Sequence, residues 1–574
     1  MLSVMVIWIY MFLTTFLIGY GILSVMTRYI PYRIRYMDSY LICGLAAVTV
    51  YTQFFSLFGR IGLTTNLILC LAGLAVAWCG RQQLKDILRK VWSDIRKNRL
   101  GERGKMFIML FLFLLFAYGT SRGIIHYDTS LYHAQSIRWL EEYGVLKGLG
   151  NLHCRLAYNS SSFALSALYS MAFWGGQSYH CAAGWLAFLL AAICLEAAGS
   201  LRSIRLRISD FARVMGIYYL VNIFDEMVSP ASDYFMVLIA FYIVIRWLDL
   251  LEEEVGEVLP YALLCVLGVF LMTVKLSAAL ILLLVIYPAY YLLRERRLKE
   301  IVVYLILGIV TALPYFIRNV LLSGWLVYPF TQIDLFDVVW KIPKGAADYD
   351  AREIQVWGRN YTDVARYNIS MKEWMPDWFR ALAGSDKLLV AAAMVSVCVL
   401  LVYGIGMVCG LWRRRWGLLL VQITVAGSFL FWLCTSPLIR YGCVYVYLVP
   451  AVVFGGIYDD MVHGNLQRWK TVTERVAVAA VFLLLLYKGA ALGREIFVSY
   501  ENKYWLTQKD YENYETLTYE IEGVTFYYPA NGDQVGYESF PSAPSRVEVT
   551  FLGQTIDDGF KALGSVNTSE KERK

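Results

Sequence analysis

Phe107-Ile108-Met109-Leu110-Phe111-Leu112-Phe113-Leu114-Leu115-Phe116-Ala117 runs apolar without a break, and the chain then turns sharply polar at His126-Tyr127-Asp128-Thr129-Ser130-Leu131-Tyr132-His133. The first stretch decides the fold class. A strand of a membrane barrel alternates apolar and polar side chains over about ten positions, whereas this run is apolar in every direction. Such runs, near twenty residues long, recur along the chain, and a helix needs roughly that length to cross about 30 Å of hydrocarbon. With 58% hydrophobic and 17% charged residues among 574, the composition excludes an ordinary soluble domain, in which about a quarter are charged. The sequence predicts an all-α polytopic membrane protein with roughly 13–15 apolar helices, amphipathic helices in its outer loops, and a small α+β C-terminal appendage. Val4 to Met26 lacks a basic leader and a small-residue cleavage site, and reads as a retained span.

Basic residues gather in Arg81 to Lys105, Arg202 to Arg207, Arg294 to Lys299, Arg413 to Arg415 and Arg468 to Arg475. The positive-inside rule assigns all of them to the cytoplasmic face of the cell membrane. Arg122 to Tyr158, Ser323 to Lys387, Ser436 to Tyr441 and the tail from about Arg494 then face outward. The net charge of +7 suits inner loops lying against anionic lipid, and no nucleic-acid-binding motif is present. One stretch conflicts with strict alternation. Ser162 to Trp174 and Cys181 to Ala198 are both apolar yet separate an outer loop from an inner one, so 162–174 is expected to be short or re-entrant. The chain divides into extra N-terminal spans with a basic loop (1–105), a membrane core (106–493) and an outer appendage (494–574), disordered after about 566.

The polar loop after Ala117 carries the densest chemistry. Positions 128, 132, 135 and 139 share a helical face, with Leu131, Ile137 and Leu140 on the apolar side, which describes an amphipathic helix on the membrane surface ending near Gly144. Asp128 at its first turn fits a capping carboxylate and a catalytic one equally. Three more charges lie beside apolar runs on the outer side: Asp233 after Ser229-Pro230-Ala231-Ser232, Lys275 in Thr273-Val274-Lys275-Leu276-Ser277, and Arg318 in Pro314-Tyr315-Phe316-Ile317-Arg318-Asn319. A charge at mid-bilayer costs about 3 kcal/mol, so such residues snorkel to the interface or serve function. Their shared side favours one cavity. None of the eleven cysteines has paired-ligand spacing, so neither a zinc site nor a disulfide framework is indicated. No phosphate-binding glycine loop is present either.

The outer segment Ser323 to Lys387, with Trp340, Trp357, Trp374 and Trp378, is long for a connector and reads as a functional cover. In the tail, Val524 to Tyr528 and Arg546 to Phe551 have strand character, with Asn531-Gly532 as the turn between them.

In order and spacing, Asp128 with Tyr132-His133, then Ser-x-x-x-Asp233, Lys275, Pro-x-x-x-Arg318-Asn319 and Gly324-x-x-x-Tyr328-Pro329-Phe330 resemble GT-C-type membrane glycosyltransferases. The chain looks most like a bacterial family of large GT-C-like membrane proteins. That family carries a Tyr-Asp-x-x-Leu-Tyr-His loop, matched at Tyr127 to His133, a Gly-Leu-Gly-Asn-Leu-His segment, matched at Gly148 to His153, and an outer Gly-Asp-Gln, matched at Gly532 to Gln534. The resemblance runs from about residue 106 to 545. It departs at the extra N-terminal spans and at Ser436 to Tyr441, where the Arg-Tyr motif is looser.

The resemblance implies transfer of a sugar from a polyprenyl-phosphate donor to a surface glycan or lipid acceptor, on the outer face and with inversion. It implies Asp128, His133 and Asp233 as catalytic, Lys275, Arg318 and Arg440 as ligands of the donor phosphate, and Tyr132, Arg138, Trp139 and Asn319 as substrate contacts. A divalent cation held by Asp128 and Asp233 would be compatible, although some relatives are thought to work without metal. A lipid-linked sugar transporter or a polysaccharide polymerase or ligase is the alternative. The residues suit the chemistry: a carboxylate to take the acceptor proton, and cations for the departing phosphate.

Overall fold

The structure is a computed structural model and describes residues 1–97, 101–410, 414–463 and 470–563. The expected disorder after about 566 lies outside them. Helices α1 (Leu2–Tyr29), α2 (Asp38–Phe55) and α3 (Leu63–Cys79) open the chain, and α4 (Arg81–Lys97) bends away from α3 by 78°. Glycine brings α1 and α2 together: a Cβ on Gly44 would lie 1.7 Å from the Thr15 carbonyl, and one on Gly19 would lie 1.9 Å from that of Tyr40. After α5 (Gly101–Ser121) come α6 (Ala134–Glu142), α7 (Ser161–Tyr169), α8 (Ala182–Cys194), α9 (Ala197–Ser203) and α10 (Ile208–Asn222). The core continues with α11 (Ser232–Glu252), α12 (Val258–Val274), α13 (Ile286–Arg294) and α14 (Leu298–Ser323). Helices α15 (Lys344–Gly358) and α16 (Met371–Ala381) occupy a loop, and α17 (Gly384–Val408), α18 (Trp416–Thr435), α19 (Ile439–His463) and α20 (Lys470–Val498) complete the bundle. α11 is apolar on all sides and runs through the middle, 94% of its apolar window being buried.

Among the described residues ten helices are long and apolar enough to cross a membrane, or eleven if the bent α3–α4 pair is one span. That is fewer than the 13–15 apolar helices expected; α12, apolar but only 17 residues long, falls short of that measure. It still runs alongside longer neighbours in the bundle. α7 explains the conflict at 162–174. Nine residues span only about 13 Å, too little to cross. At its start Ser160 Oγ donates to the Val274 carbonyl (2.8 Å). Beyond it, Gln177 Nε2 donates to the Gln508 carbonyl (2.8 Å) and His180 N to Gln508 Oε1 (2.9 Å). The segment thus enters and leaves at one end of the bundle, the end that carries the C-terminal appendage, and α8 runs to the other.

Two expectations are corrected. α6 is no amphipathic helix on a membrane surface, because the appendage covers its polar face: Gln135 Nε2 donates to the Gly536 and Ser539 carbonyls, and Arg138 Nη1 to those of Tyr537 and Glu538. Beyond α20 the described part of the appendage is built of strands, with one 3-10 turn at Ile556–Asp558. β1 (Thr516–Ile521) pairs antiparallel with β2 (Val524–Pro529), and β3 (Val549–Phe551) with β4 (Phe560–Ala562). The hairpin turn after β1 is Glu522-Gly523, both at positive φ, which is the twist a two-residue connection needs. Asn531-Gly532 instead lies beyond β2 and leads the chain back to the polar loop.

Candidate functional site

Asp128 precedes a π-helical turn, Thr129–His133, that runs directly into α6; such turns recur at functional sites. It stands in the capping position of that turn but makes no capping hydrogen bond. Its carboxylate instead meets the Arg440 guanidinium at 2.6 Å. Arg440 lies in the first turn of α19, and its Nε is 3.8 Å from Asp233 Oδ2. Asp233 sits in the first turn of α11, where the helix dipole favours a carboxylate. Lys275 pairs with the other oxygen of Asp233. The chain is extended at Lys275, a break between α12 and the 3-10 stretch Leu276–Val285 that presents the ammonium at the appendage end of two helices. Tyr441 lies beneath both cations, its ring 3.9 Å from Lys275 Nζ and 5.1 Å from the Arg440 guanidinium carbon. Two carboxylates and two cations from four elements thus form one neutral cluster.

His126 completes it, with Nε2 2.6 Å from Arg440 Nη1 and its backbone N–H donating to Ser229 Oγ (2.8 Å). Burial, reinforced by the Arg440 charge, lowers the pKa of this imidazole. His133 holds a different place: it is buried, bonds Thr129 Oγ1 at 3.2 Å, and packs between Tyr132 and Phe163 at 4.4 and 5.2 Å. Burial pushes its pKa well below the ordinary histidine value. His126, two residues before Asp128, occupies the position that the sequence reading gave to His133.

The other expected site residues lie around the cluster or away from it. Tyr132 packs edge-on against Tyr158 (5.7 Å). Arg138 binds appendage carbonyls as described, and Trp139 is buried against Phe540 (4.6 Å). Asn319 donates to the Leu326 carbonyl (2.9 Å) and accepts from Asn159 Nδ2 (2.8 Å). Arg318 is 2% exposed, and its Nε and Nη1 lack hydrogen-bond partners among the described residues. It joins no ion pair there. Among the described residues no group of three His, Cys, Asp or Glu side chains could hold a metal ion, and Asp128 and Asp233 each already face a protein cation.

The appendage clamps the turn that carries Asp128. The Tyr127 hydroxyl bonds Asp533, Gln534 Nε2 donates to the Tyr127 carbonyl (3.0 Å), and the N–H groups of Val535 and Gly536 donate to the Ser130 carbonyl (3.1 and 2.9 Å). Gly148 to His153 is a docking knot. Gly148 has φ +65°, and Asn151 Nδ2 donates to the Gly148 and Trp340 carbonyls (3.1 and 2.8 Å). Arg155, not singled out in the sequence, stacks on Trp357 (4.6 Å) and pairs with Glu353 (3.8 Å), bringing the long loop against the first. His126 and Tyr441 were legible only as neighbours of residues already chosen.

A family model described as "Domain of unknown function (DUF8201)" matches residues 1–447. No curated protein and no solved structure matches the chain.

Proposed function

Starting from the fact that the chain belongs to the DUF8201 family, whose description names no activity, we propose that it is a membrane glycosyltransferase acting on a polyprenyl-phosphate-linked sugar at the outer face of the cell membrane. The observation that carries this reading is the joining of Asp128, Asp233, Lys275 and Arg440, from four separated elements, into one partly exposed cluster. It lies at the bundle end opposite the described basic loops, which is the external end under the positive-inside rule.

Asp128 takes the proton of an acceptor hydroxyl while that oxygen attacks the anomeric carbon. The bond from that carbon to the phosphate oxygen breaks, and Lys275 and Arg440 neutralise the charge left on the lipid phosphate. Arg440 links the two events. An arriving phosphate competes with Asp128 for Arg440 and with Asp233 for Lys275, which releases the Asp128 carboxylate to meet the acceptor hydroxyl. Donor binding thereby frees the base. Asp233 positions Lys275, and the unpaired Arg318 supplies a third cation to the donor site. A polymerase or ligase would use the same groups. Transport of a lipid-linked sugar would need a polar path along α11, but Tyr234 to Ile245 there is apolar apart from two tyrosines.

The test is transfer in proteoliposomes from a panel of polyprenyl-phosphate sugars. Wild type is expected to transfer at least one of them, and Asp128→Asn to transfer it at least about a hundredfold more slowly while folding normally. Full activity in that variant would remove Asp128 as the base.

A further inference from the structure

An apolar cavity of about 370 Å³ lies between α1 and α2 on one side and α11, α12 and α14 on the other. Two of its walls precede residue 106, where the glycosyltransferase resemblance begins. It follows α2 from Ser39 to Phe54, a length of about 22 Å, and the exposed Val310 opens it laterally to the surroundings of the bundle.

Its two ends differ in charge. At one end lie Tyr36, Ser39 and Arg246. That guanidinium is taken up by Asp38 (2.9 Å), Glu196 (3.0 Å) and Asp249 (2.8 Å), so carboxylates outnumber cations and an anion is repelled. At the other end lie Phe54, Phe270 and Thr311. Arg318 stands two turns beyond Thr311 on the same buried face of α14, and Lys275 follows Phe270 by five residues. A buried guanidinium without a carboxylate is costly, and an anionic ligand is what offsets it.

We propose that this groove seats the hydrocarbon chain of a polyprenyl phosphate, its phosphate toward Arg318 and its tail running toward Ser39. The identity of the lipid rests on the function proposed above; the direction of the chain rests on the charges at the two ends. The N-terminal helices α1 and α2 thus serve as a donor-tail site.

The experiment measures binding of a long-chain polyprenyl phosphate and of farnesyl phosphate to the full-length protein in nanodiscs by native mass spectrometry. Wild type is expected to bind the long chain at least about tenfold more tightly. Filling the groove with Ala46→Trp, or with the milder Ala46→Phe, should reduce that preference toward unity and leave farnesyl phosphate binding unchanged, which also reports an intact fold. Arg318→Gln should weaken both ligands alike by about tenfold or more. An undiminished chain-length preference in a filled groove, or no preference in wild type, overturns the proposal. Long-chain binding in a protein that transfers no sugar would leave the groove standing and sink the transferase reading. Transfer without chain-length preference would do the reverse.

Discussion

The bundle carries a charged network at each end, and the two are built to opposite specifications. Away from the appendage, Arg213 Nη2 reaches Glu196 and Asp249 at 2.7 Å, and its Nη1 reaches Asp210 at 3.1 Å and Ser209 Oγ at 2.7 Å. Arg246 shares Glu196 and Asp249 and adds Asp38. The side chains of Arg213 and Asp249 are 0% and 1% exposed, and the network ties α2, the α8–α9 junction, α10 and α11 together. At the appendage end the side chains of Arg440 and Lys275 keep 29% and 22% exposure, and Arg440 Nε has no hydrogen-bond partner among the described residues. Saturated, closed ion pairs hold helices in place. Open ones leave donor capacity for a ligand.

The comparison can be broken by substitution. Asp128→Asn is expected to lower sugar transfer by about 10²–10⁴-fold, the range of general base catalysis, with little change in thermal stability; a rate assay paired with a melting curve checks both. Arg213→Met should do the opposite, costing about 3–5 kcal/mol of stability by stranding buried carboxylates, as seen in a lowered Tm. If Arg213→Met melts like wild type, the closed network is not structural and the contrast fails.

Two smaller effects sharpen the comparison at the appendage. Glu141 is buried on α6, accepting from the Tyr537 hydroxyl (2.5 Å) and Ser178 Oγ (3.0 Å), and burial raises its pKa to about 7. A carboxyl whose folded pKa is raised favours the folded state below its unfolded value near 4.5, and that contribution is lost as pH rises through about 7. Appendage docking should therefore weaken between about pH 4.5 and 7, by on the order of 3 kcal/mol. Hydrogen exchange of 533–540 at several pH values measures it, and Glu141→Gln should flatten the dependence. Gly148→Ala should cost about 1–2 kcal/mol, because φ is +65° and a Cβ would lie 2.0 Å from the Phe560 carbonyl. Limited proteolysis of the appendage reports that loosening.

Much of the bundle was legible because burial in apolar surroundings demands apolar runs, and Phe107 to Ala117 can be read no other way. Even the short α7 was foreseeable, since the basic Arg202 to Arg207 had to share an end with the other basic loops. The appendage was harder. Its strands are legible in the sequence, but Asn531-Gly532 carries the familiar hairpin signal, whereas Glu522-Gly523 closes the hairpin. α6 is illegible for a related reason: its polar face has the pattern of a membrane-surface helix, and only the appendage, some four hundred residues later, supplies the backbone carbonyls that satisfy it.

By itself the sequence determined a many-helix membrane protein, its basic loops, and a short list of charged residues beside apolar runs. Local composition suffices for that, because lipid tolerates so few ways of satisfying a backbone. Which of those charges meet was decided only by the tertiary structure. Arg440 and Asp128 are more than three hundred residues apart, and no periodicity relates a loop, a helix start and a helix break. The same packing that gathers Asp128, Asp233, Lys275 and Arg440 leaves Arg318 buried on α14 without an ion pair among the described residues.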